Sequence, residues 1–262
     1  MRIQWSVLGN RRNRLSPIAK LYRIFLPLYR PIKLVYSSFV LRVKKTLFNN
    51  IMFDKLHLLK LKGYYPDAIL DIGAYHGHWT TQIKMAIYPD AEYHLFEAID
   101  YRELDRFTNK YNVVLNYKKE IVNWYEMKNT GDSICREKTR FFADCEIKQR
   151  ETIDLNSFAE KFVGKKNLLI KIDCQGAEIP ILKGASEILT KTDFIVMELP
   201  LFGVYNEGVA SFCDHITFMD SIGFVPYDIV DSHYMNGFNM QIDMLFINKN
   251  HFFNSRVNEL LL

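Results

Sequence analysis

The sequence predicts an α/β fold in which helices cover both faces of a mostly parallel sheet. Two observations support this prediction. From about residue 64 onward, short apolar runs alternate with segments of helical periodicity. The chain has 262 residues and 48% of them are hydrophobic, which is enough to build one large core. Such alternation is typical of parallel sheets, since each strand needs a crossover connection to reach the next.

The predicted elements follow one another in a regular order. A strand in AILDIG precedes a helix over HWTTQIKMAIY, and a strand in AEYHLFEA precedes a charged helix over YRELDRFTNKY. The stretch NVVLNYKKEIVNWYEM is expected to hold one or two strands, and a polar loop, KNTGDSICREKTRFFADCEIKQRE, follows it. The second half continues with a strand in NLLIKID, a helix in AEIPILKGASEILT, a strand in DFIVMELPL, a helix in ASFCDHITFMDSI ending at Gly223, and closing strands in FVPYDIV and IDMLFINK.

The beginning of the chain differs sharply in charge from the rest. Residues 1–60 carry 13 lysines and arginines and one acid, a net charge of +12, whereas the remainder carries −8. We therefore predict a basic, aromatic-rich N-terminal extension over residues 1–62 and a main domain over residues 63–262. Three interpretations of the extension stay open: packing on the domain or a partner subunit, peripheral membrane contact through residues 1–60, and binding of an acidic polymer such as nucleic acid.

Cysteine usage indicates a reducing compartment. Cys135, Cys145, Cys174 and Cys213 are far apart and form no Cys-x-x-Cys pair, which argues against a disulfide scaffold or a zinc module. The first residues lack the compact apolar core and small-residue cleavage site of a secretory signal. A cytoplasmic protein is expected, with membrane association through the extension as the second option.

The ends of the first two predicted strands carry features of a nucleoside-binding site. Asp71 ends the first strand, and small residues follow it at Gly73, Ala74 and Gly77. Small residues let the backbone approach a ligand, and the next helix offers free amides at its N-terminus. Glu97 ends the second strand 24 residues after Gly73, a separation that suits an acid accepting hydrogen bonds from both ribose hydroxyls.

The spacing of the glycines favours one class of cofactor. The dinucleotide fingerprint Gly-x-Gly-x-x-Gly lacks its middle glycine here, and the stretch has no Gly-Lys-Ser/Thr ending of a phosphate-binding loop. Asp71 suits an ammonium group, so S-adenosylmethionine, which has an ammonium and no phosphates, fits best, while NAD and FAD stay open. His76 and His78 lack a third metal ligand of known proximity and are expected to be bystanders.

A second charged cluster ends another apolar strand, in LLIKIDCQGAEIPILKGA. Lys171, Asp173 and Glu178 lie where burying a charge is costly unless the charge is paired or functional. A structural ion pair is one interpretation of this pattern. The density of charge at the carboxyl end of a strand favours the other interpretation, a functional site.

Together the two stretches resemble the FkbM-type family of S-adenosylmethionine-dependent methyltransferases. That family shows D-x-G-A-N-x-G at the first strand, F-E at the second and K-I-D-x-x-G-x-E-x-x-x-L-K-G-A at the fourth; this chain has DIGAYHG, LFEA and KIDCQGAEIPILKGA. TIDLNSF, IVMELPL and GFVPYDIV…QIDMLFINK accompany these motifs, so the resemblance covers roughly residues 66–250. Tyr75 stands where the family usually has Asn, and only backbone contacts to the methionine portion of the cofactor carry over at this position.

The resemblance implies a Rossmann-like, seven-stranded class I methyltransferase fold with strand order 3-2-1-4-5-7-6 and an antiparallel last strand. It also implies O-methylation of hydroxyl groups on sugars or natural products. Glu97 would bind the ribose, and Asp173 would lie nearest the transferable methyl group. The implied cofactor-binding residues are Asp71, Gly73, Ala74, Tyr75, Gly77, Glu97 and Ala98.

A hydroxyl acceptor must be aligned with the methyl group and must lose its proton. Asp173 is the candidate base, with Lys171 and Glu178 orienting it or holding the acceptor. Glu198 and His215 are secondary candidates, and packing or capping explains His215 better because it lies in the middle of a predicted helix. No metal ligand is assigned, and a divalent ion held by Asp173 and Glu198 is an alternative way to activate the hydroxyl.

Three loops are expected to form the acceptor side of the cleft, because long loops beside a cleft often close over ligands. A solvated surface loop is the alternative interpretation of the first of them. The residues concerned are Asp132, Ser133 and Arg136 before the fourth strand, Tyr205 and Asn206 after the fifth, and His233 and Tyr234 near the end of the domain.

Three functions are compatible with the sequence: O-methylation of a glycan or other hydroxylated small molecule, methylation of nucleic acid through the basic extension, and a non-catalytic methyltransferase-like binding module. The acidic main domain repels a phosphate backbone, which makes nucleic acid the weaker partner. Intact Asp71, Glu97, Lys171 and Asp173 disfavour the third function. The sequence identifies neither the acceptor nor the oligomeric state.

Overall fold

The structure is a computed structural model that describes residues 51–253. The part of the predicted extension over residues 1–50, and with it the proposed membrane or polymer contact, lies outside the described residues. The division into an extension over 1–62 and a domain over 63–262 stays a prediction.

Ten strands run through the described residues, and seven of them form one sheet. They are β1 (Ala68–Ile72), β2 (Glu92–Glu97), β3 (Asn109–Asn112), β4 (Val114–Leu115), β5 (Ile121–Glu126), β6 (Glu146–Ile153), β7 (Leu168–Ile172), β8 (Thr192–Pro200), β9 (Phe224–Met235) and β10 (Phe238–Asn248).

The main sheet has the order β3-β2-β1-β7-β8-β10-β9. Strands β1, β2, β3, β7 and β8 are parallel, while β10 is antiparallel to both of its neighbours. Counted along the sheet's own strands, this order is 3-2-1-4-5-7-6. The fold class and the strand order that the sequence predicted are therefore confirmed.

Helices cover both faces of this sheet. Strands β1 and β7 are buried over their full length, and their side chains alternate between two separate apolar layers, with Leu70 and Ile170 in one and Ile69 and Leu169 in the other. This is the pattern expected where helices shield both sides of a parallel sheet. The helices are α1 (Ile51–Leu61), α2 (His78–Ala86), α3 (Glu178–Lys183), α4 (Ser186–Leu189) and α5 (Phe212–Ser221), with 3-10 helices at Arg102–Arg106, Arg140–Phe142 and Leu155–Phe162.

Two local predictions were wrong. The charged helix expected over YRELDRFTNKY is a short 3-10 helix followed by strand β3, whose Tyr111 ring stacks on Phe96 of β2. The polar loop expected before β7 ends in strand β6, which forms a three-stranded sheet with β4 and β5. Most of β6 is exposed or half-buried, so it lacks the apolar alternation that would have marked it as a strand.

Within residues 51–253, every helix is too short or too polar to span a membrane. Helix α1 instead belongs to the core of the domain. Its Met52, Leu56 and Leu59 are buried in the apolar layer that contains Ile69 of β1. The Tyr88 hydroxyl donates a hydrogen bond to the Leu56 carbonyl, and the Trp79 indole N–H lies 3.0 Å from the Met52 sulfur.

The packing of α1 can be tested with a matched pair of substitutions. Leu56→Ala is expected to lower the free energy of unfolding by about 2–5 kcal/mol, since Leu56 is fully buried. Leu58→Ala, on the exposed side of the same helix, is expected to change it by less than about 0.5 kcal/mol. Urea unfolding of the full-length protein measures both values. Equal effects of the two substitutions would show that α1 does not pack on the sheet.

Candidate functional site

A cleft lies at the carboxyl ends of β1, β2 and β7. It encloses about 690 Å³ of space, part of which is open solvent. Glu97, Asp132 and Asp173 contribute polar groups to its lining. Its apolar lining includes Phe96, Val113, Val114, Leu115, Ile134 and Ile181.

Glu97 ends β2 and is held in the wall of the cleft by the backbone. Its Oε2 accepts a hydrogen bond from the Tyr75 amide at 2.7 Å, and its Oε1 accepts one from the Ile99 amide at 3.0 Å. Burial raises the pKa of this carboxyl, while the amide donors act in the opposite direction. Each carboxylate oxygen keeps a further acceptor position, which a hydroxyl group in the cleft can use.

Backbone approach explains the glycines after β1. Gly73 and Gly77 both have left-handed backbones, with φ of +73° and +72°. A Cβ on Gly73 would lie 2.0 Å from the Asp173 carbonyl oxygen, and one on Gly77 would lie 2.7 Å from the Phe107 ring. Gly73 thus lets the turn after β1 touch the turn after β7, Gly77 lets it approach Phe107, and Ala74 within this turn is buried.

Tyr75 occupies a left-handed position as well, with φ of +49°. Among residues other than glycine, Asn and Asp are enriched in this region, which accounts for the Asn of the family pattern. The Tyr75 ring contacts the rings of His76 and Tyr101, with centroids 4.0 and 5.2 Å away. The residue therefore contributes its amide to Glu97 and its ring to an aromatic cluster at the edge of the cleft.

Asp71 and Lys171 form an ion pair beneath the cleft. Asp71 is fully buried, its Oδ2 accepts a hydrogen bond from the Thr80 hydroxyl at 2.6 Å, and its Oδ1 lies 3.4 Å from Lys171 Nζ. Lys171 Nζ also donates to the Gly73 carbonyl at 2.9 Å and lies 3.7 Å from Asp173 Oδ2. Burial raises the pKa of Asp71 against the opposing effect of Lys171. Burial alone would lower the pKa of Lys171, but the two aspartates raise it.

The ammonium group that pairs with Asp71 thus belongs to Lys171 of the same chain. From the sequence, Asp71 was expected to cradle the cofactor, but it is fully buried beside Lys171 and absent from the lining of the cleft. Its direct contact with a cofactor stays a prediction.

Asp173 follows β7 directly and faces the cleft. Its side chain is 41% exposed, and its Oδ1 accepts a hydrogen bond from Gln175 Nε2 at 2.9 Å. Gln175 Nε2 also donates to Glu198 Oε2 of β8 at 2.8 Å, so one amide joins two carboxylates. Burial raises the pKa of Glu198 well above its usual range, and the charge of Asp173 acts in the same direction.

Glu178 holds the turn that carries Asp173 and Gln175. It is 2% exposed, and its carboxylate accepts hydrogen bonds from the amides of Cys174 and Gly176. Burial raises the pKa of this carboxyl to about 7. This geometry matches the predicted orienting role more closely than contact with an acceptor. The catalytic assignment of Lys171, Asp173 and Glu178 stays a prediction.

The predicted loop before β7 lies against the cleft. Ser133 donates its hydroxyl to the Cys174 carbonyl at 2.9 Å, and Asp132 accepts hydrogen bonds from the amides of Met127 and Lys128. Both residues line the cleft, whereas Arg136 is absent from its lining. Within residues 51–253, the indole nitrogen of Trp124, also in the lining, has no hydrogen-bond partner although it is buried.

The remaining predicted residues fall into three groups. His76, His78 and His215 lie outside the lining of the cleft, and His215 is buried in helix α5 with Nδ1 2.9 Å from the Ser211 carbonyl. Tyr205 and Asn206 line a smaller pocket beside Glu198. His233 lies near the end of β9 beside β10, and the Tyr234 side chain is exposed.

Sequence reasoning missed Trp124, Gln175 and Asp243. Trp124 is buried on the inner face of the mostly polar sheet, and only its alternation with exposed neighbours in IVNWYE could have marked it. Gln175 has a left-handed backbone, with φ of +53°, which no residue pattern signals. Asp243 is a lone acid between apolar residues in IDMLFI, the same signal that identified Lys171.

Comparison with known proteins adds a family assignment. Residues 71–226, more than half of the chain, match the family described as Methyltransferase FkbM domain. No curated protein matches the chain.

Among solved structures, the chain is similar to 1,6-didemethyltoxoflavin-N1-methyltransferase from Burkholderia thailandensis, with 8% identity, a TM-score of 0.42 and coverage of 85% of this chain and 90% of that one. It is also similar to precorrin-6y C5,15-methyltransferase from Geobacter metallireducens, with 10% identity, a TM-score of 0.38 and coverage of 74% and 87%. For magnesium protoporphyrin IX methyltransferase from Synechocystis PCC 6803 the values are 6% identity, a TM-score of 0.39 and coverage of 75% and 77%.

The conformation of Tyr75 predicts an order of stability between two variants. The free energy of unfolding of Tyr75→Gly is expected to be about 1 kcal/mol higher than that of Tyr75→Ala. Both variants lose the ring, but Ala keeps a Cβ, which is unfavourable in a left-handed backbone. Gln82, exposed within helix α2, is the control position, where Ala is expected to be more stable than Gly by about 0.5–1 kcal/mol. Urea unfolding measures all four, and the same order at both positions would contradict the left-handed assignment.

Proposed function

The chain belongs to the FkbM methyltransferase family, whose cofactor is S-adenosylmethionine, and from that premise we propose that it methylates a hydroxyl oxygen on a sugar, glycan or other small molecule. The observation that carries the hydroxyl assignment is the position of Asp173. A partly exposed carboxylate at the end of β7 faces the cleft, next to a second carboxylate, Glu198, that Gln175 ties to it. Hydroxyl acceptors need such a proton acceptor within hydrogen-bond reach.

The cleft fits the nucleoside part of the cofactor. Its apolar lining suits a purine, and the unpartnered indole N–H of Trp124 offers a donor to a ring nitrogen. Glu97 suits the ribose hydroxyls, and the turn at Gly73 to Tyr75, with Ala98 next to Glu97, brings backbone close to the ligand. These residues, with Asp71 and Gly77 supporting the turn from behind, form the proposed cofactor site.

S-adenosylmethionine supplies a methyl group on a positively charged sulfur. The Asp173 carboxylate would accept the proton of the acceptor hydroxyl. The acceptor oxygen would then bond to the methyl carbon as the carbon–sulfur bond breaks, with S-adenosylhomocysteine as the leaving group. Lys171 keeps Asp173 in position through the charge at 3.7 Å, and Gln175 fixes its other oxygen. Glu178 holds the turn on which both residues lie.

We propose that the acceptor enters beside Glu198, Tyr205 and Asn206, which line the pocket next to the cleft. A reducing compartment such as the cytoplasm accords with the four cysteines, all of which are free thiols. The role of residues 1–50, in packing, at a membrane surface or in binding an acidic polymer, stays a prediction.

Glu97→Gln tests the cofactor site while preserving the shape of the side chain. The loss of a charged acceptor is expected to weaken S-adenosylmethionine binding by about 10- to 100-fold in calorimetry. Glu103→Gln, an exposed acid on the neighbouring 3-10 helix, is the control and is expected to leave the affinity unchanged. Unchanged affinity in Glu97→Gln would remove Glu97 from the cofactor site.

Asp173→Asn tests the base. It is expected to lower turnover by about 100-fold or more, while the affinity for S-adenosylmethionine changes by less than about threefold, since a neutral isostere keeps the side chain's shape. The measurement is transfer of a labelled methyl group to a panel of hydroxylated sugars and small molecules. Mass spectrometry of the product then locates the methyl group. The control is Asp90→Asn, an exposed residue just before β2, at the opposite end of the sheet. A product methylated on nitrogen or carbon would overturn the hydroxyl proposal.

A further inference from the structure

A second group of polar side chains lies on the same face of the sheet as Lys171, two strands further along. Glu198 of β8 and Asp243 of β10 are direct cross-strand partners, so their side chains point to the same side. His233 of β9 brings its Nε2 to 3.3 Å from Asp243 Oδ2. One ligand atom each from Glu198, His233 and Asp243 lies within 4.8 Å of the other two. We call these three residues the β8–β10 cluster.

The β8–β10 cluster brings several acidic side chains close together. Like charges directly opposite each other on neighbouring strands repel, and Asp231, the partner of Asp243 on β9, adds a third carboxylate. Lys171 is already bound to Gly73 and paired with Asp71 and Asp173. Across residues 51–253, no lysine or arginine lies within 4.0 Å of the Glu198 or Asp243 carboxylates, and Asp243 contacts the His233 imidazole. A divalent cation would stabilise these carboxylates in their charged form.

The donor set and its spacing suit a first-row divalent metal. Carboxylate oxygens and imidazole nitrogens bind such ions at about 2.0–2.2 Å, so their ligand atoms lie at most about 4.4 Å apart. The present separations, within 4.8 Å, need only small side-chain rotations to meet that limit. The His233 side chain is 45% exposed and has room to rotate. Two carboxylates with one imidazole match Mn²⁺, Fe²⁺ or Zn²⁺ and leave coordination positions open for a ligand.

An independent observation indicates that a ligand binds beside the β8–β10 cluster. Glu198 lines a pocket together with Tyr205, Asn206 and Gln241. Asn206 is only 6% exposed, its Nδ2 donates to the Gln175 carbonyl at 2.6 Å, and its Oδ1 has no partner within the described residues. A buried carbonyl oxygen without a donor is costly unless a ligand or water supplies one. A hydroxyl group entering this pocket would supply that donor and would also reach Glu198.

We propose that Glu198, His233 and Asp243 bind one divalent first-row metal ion on the acceptor side of the cleft. The metal site stands on the geometry alone. The role of the metal ion rests on the proposed function. Its open coordination positions would hold the acceptor hydroxyl near Asp173. A coordinated hydroxyl gives up its proton more readily. The substrate class that this favours is a hydroxylated molecule with a second oxygen close to the first, such as a sugar with neighbouring hydroxyls, because two oxygens can occupy two adjacent positions.

The test titrates tag-free, full-length protein with Mn²⁺ in the absence of cofactor, using electron paramagnetic resonance to count bound ions. One equivalent is expected to bind. His233→Ala and Asp243→Asn are each expected to weaken binding at least about tenfold, the loss usual even for residues that only support a metal ligand. His57→Ala, an exposed histidine of helix α1 outside the cluster, is the control and is expected to bind as the unchanged protein does. Urea unfolding of each variant shows that the fold is kept.

The outcomes separate this inference from the proposed function. Absence of saturable Mn²⁺ binding, or binding that neither cluster variant weakens, would overturn the metal site. Methyl transfer that continues at full rate in the presence of a chelator would overturn its role with the acceptor and leave the proposed function intact. Cluster-dependent Mn²⁺ binding in a protein that transfers no methyl group to any hydroxyl would support the metal site and contradict the proposed function.

Discussion

The arrangement of the cleft depends on one buried ammonium group. Lys171 Nζ bridges the carboxylates of Asp71 and Asp173 and the carbonyl of Gly73, so it joins the ends of β1 and β7. Without it, Asp71 would be an unpaired charge with no exposure to solvent, and breaking a buried pair costs about 3–5 kcal/mol. The same ammonium group thus fixes the Gly73 turn and the Asp173 side chain relative to each other.

Backbone geometry adds a second constraint that side chains alone do not reveal. The turn after β1 and the turn after β7 touch at Gly73 and the Asp173 carbonyl, and both turns contain left-handed residues, Tyr75 and Gln175. Each of these strained residues has a defined task. Tyr75 directs its amide to Glu97, and Gln175 directs its side-chain amide to both Asp173 and Glu198. The strain is therefore located where the two turns position polar groups around the cleft.

The sequence predicted the sheet well because its central strands are continuous apolar runs, as in Leu168–Ile172, and because acids stand out at their ends. It failed at β3 and β6, where polar residues such as Asn109 and Gln149 form edge or exposed strands without apolar alternation. Five of the predicted site residues line one cleft, namely Gly73, Tyr75, Glu97, Ala98 and Asp173, whereas Asp71, Ala74, Gly77, Lys171 and Glu178 are absent from its lining. Whether a carboxylate lines a cleft or supports it depends on its pairing with a residue 100 positions away, and local patterns carry no such information.

The two sides of the cleft differ in how their charges are balanced, and this difference has a functional meaning. On the cofactor side, each buried charge has a partner within the protein: Asp71 has Lys171, and Glu97 has two backbone amides. S-adenosylmethionine carries its own positive charge, so the residues of its proposed site need a stable arrangement before the cofactor binds. On the proposed acceptor side, Glu198 and Asp243 are cross-strand partners, and the half-exposed His233 contacts Asp243. Because a ligand that binds only the folded protein stabilises it, the metal ion proposed for this cluster would stabilise the arrangement of these three side chains.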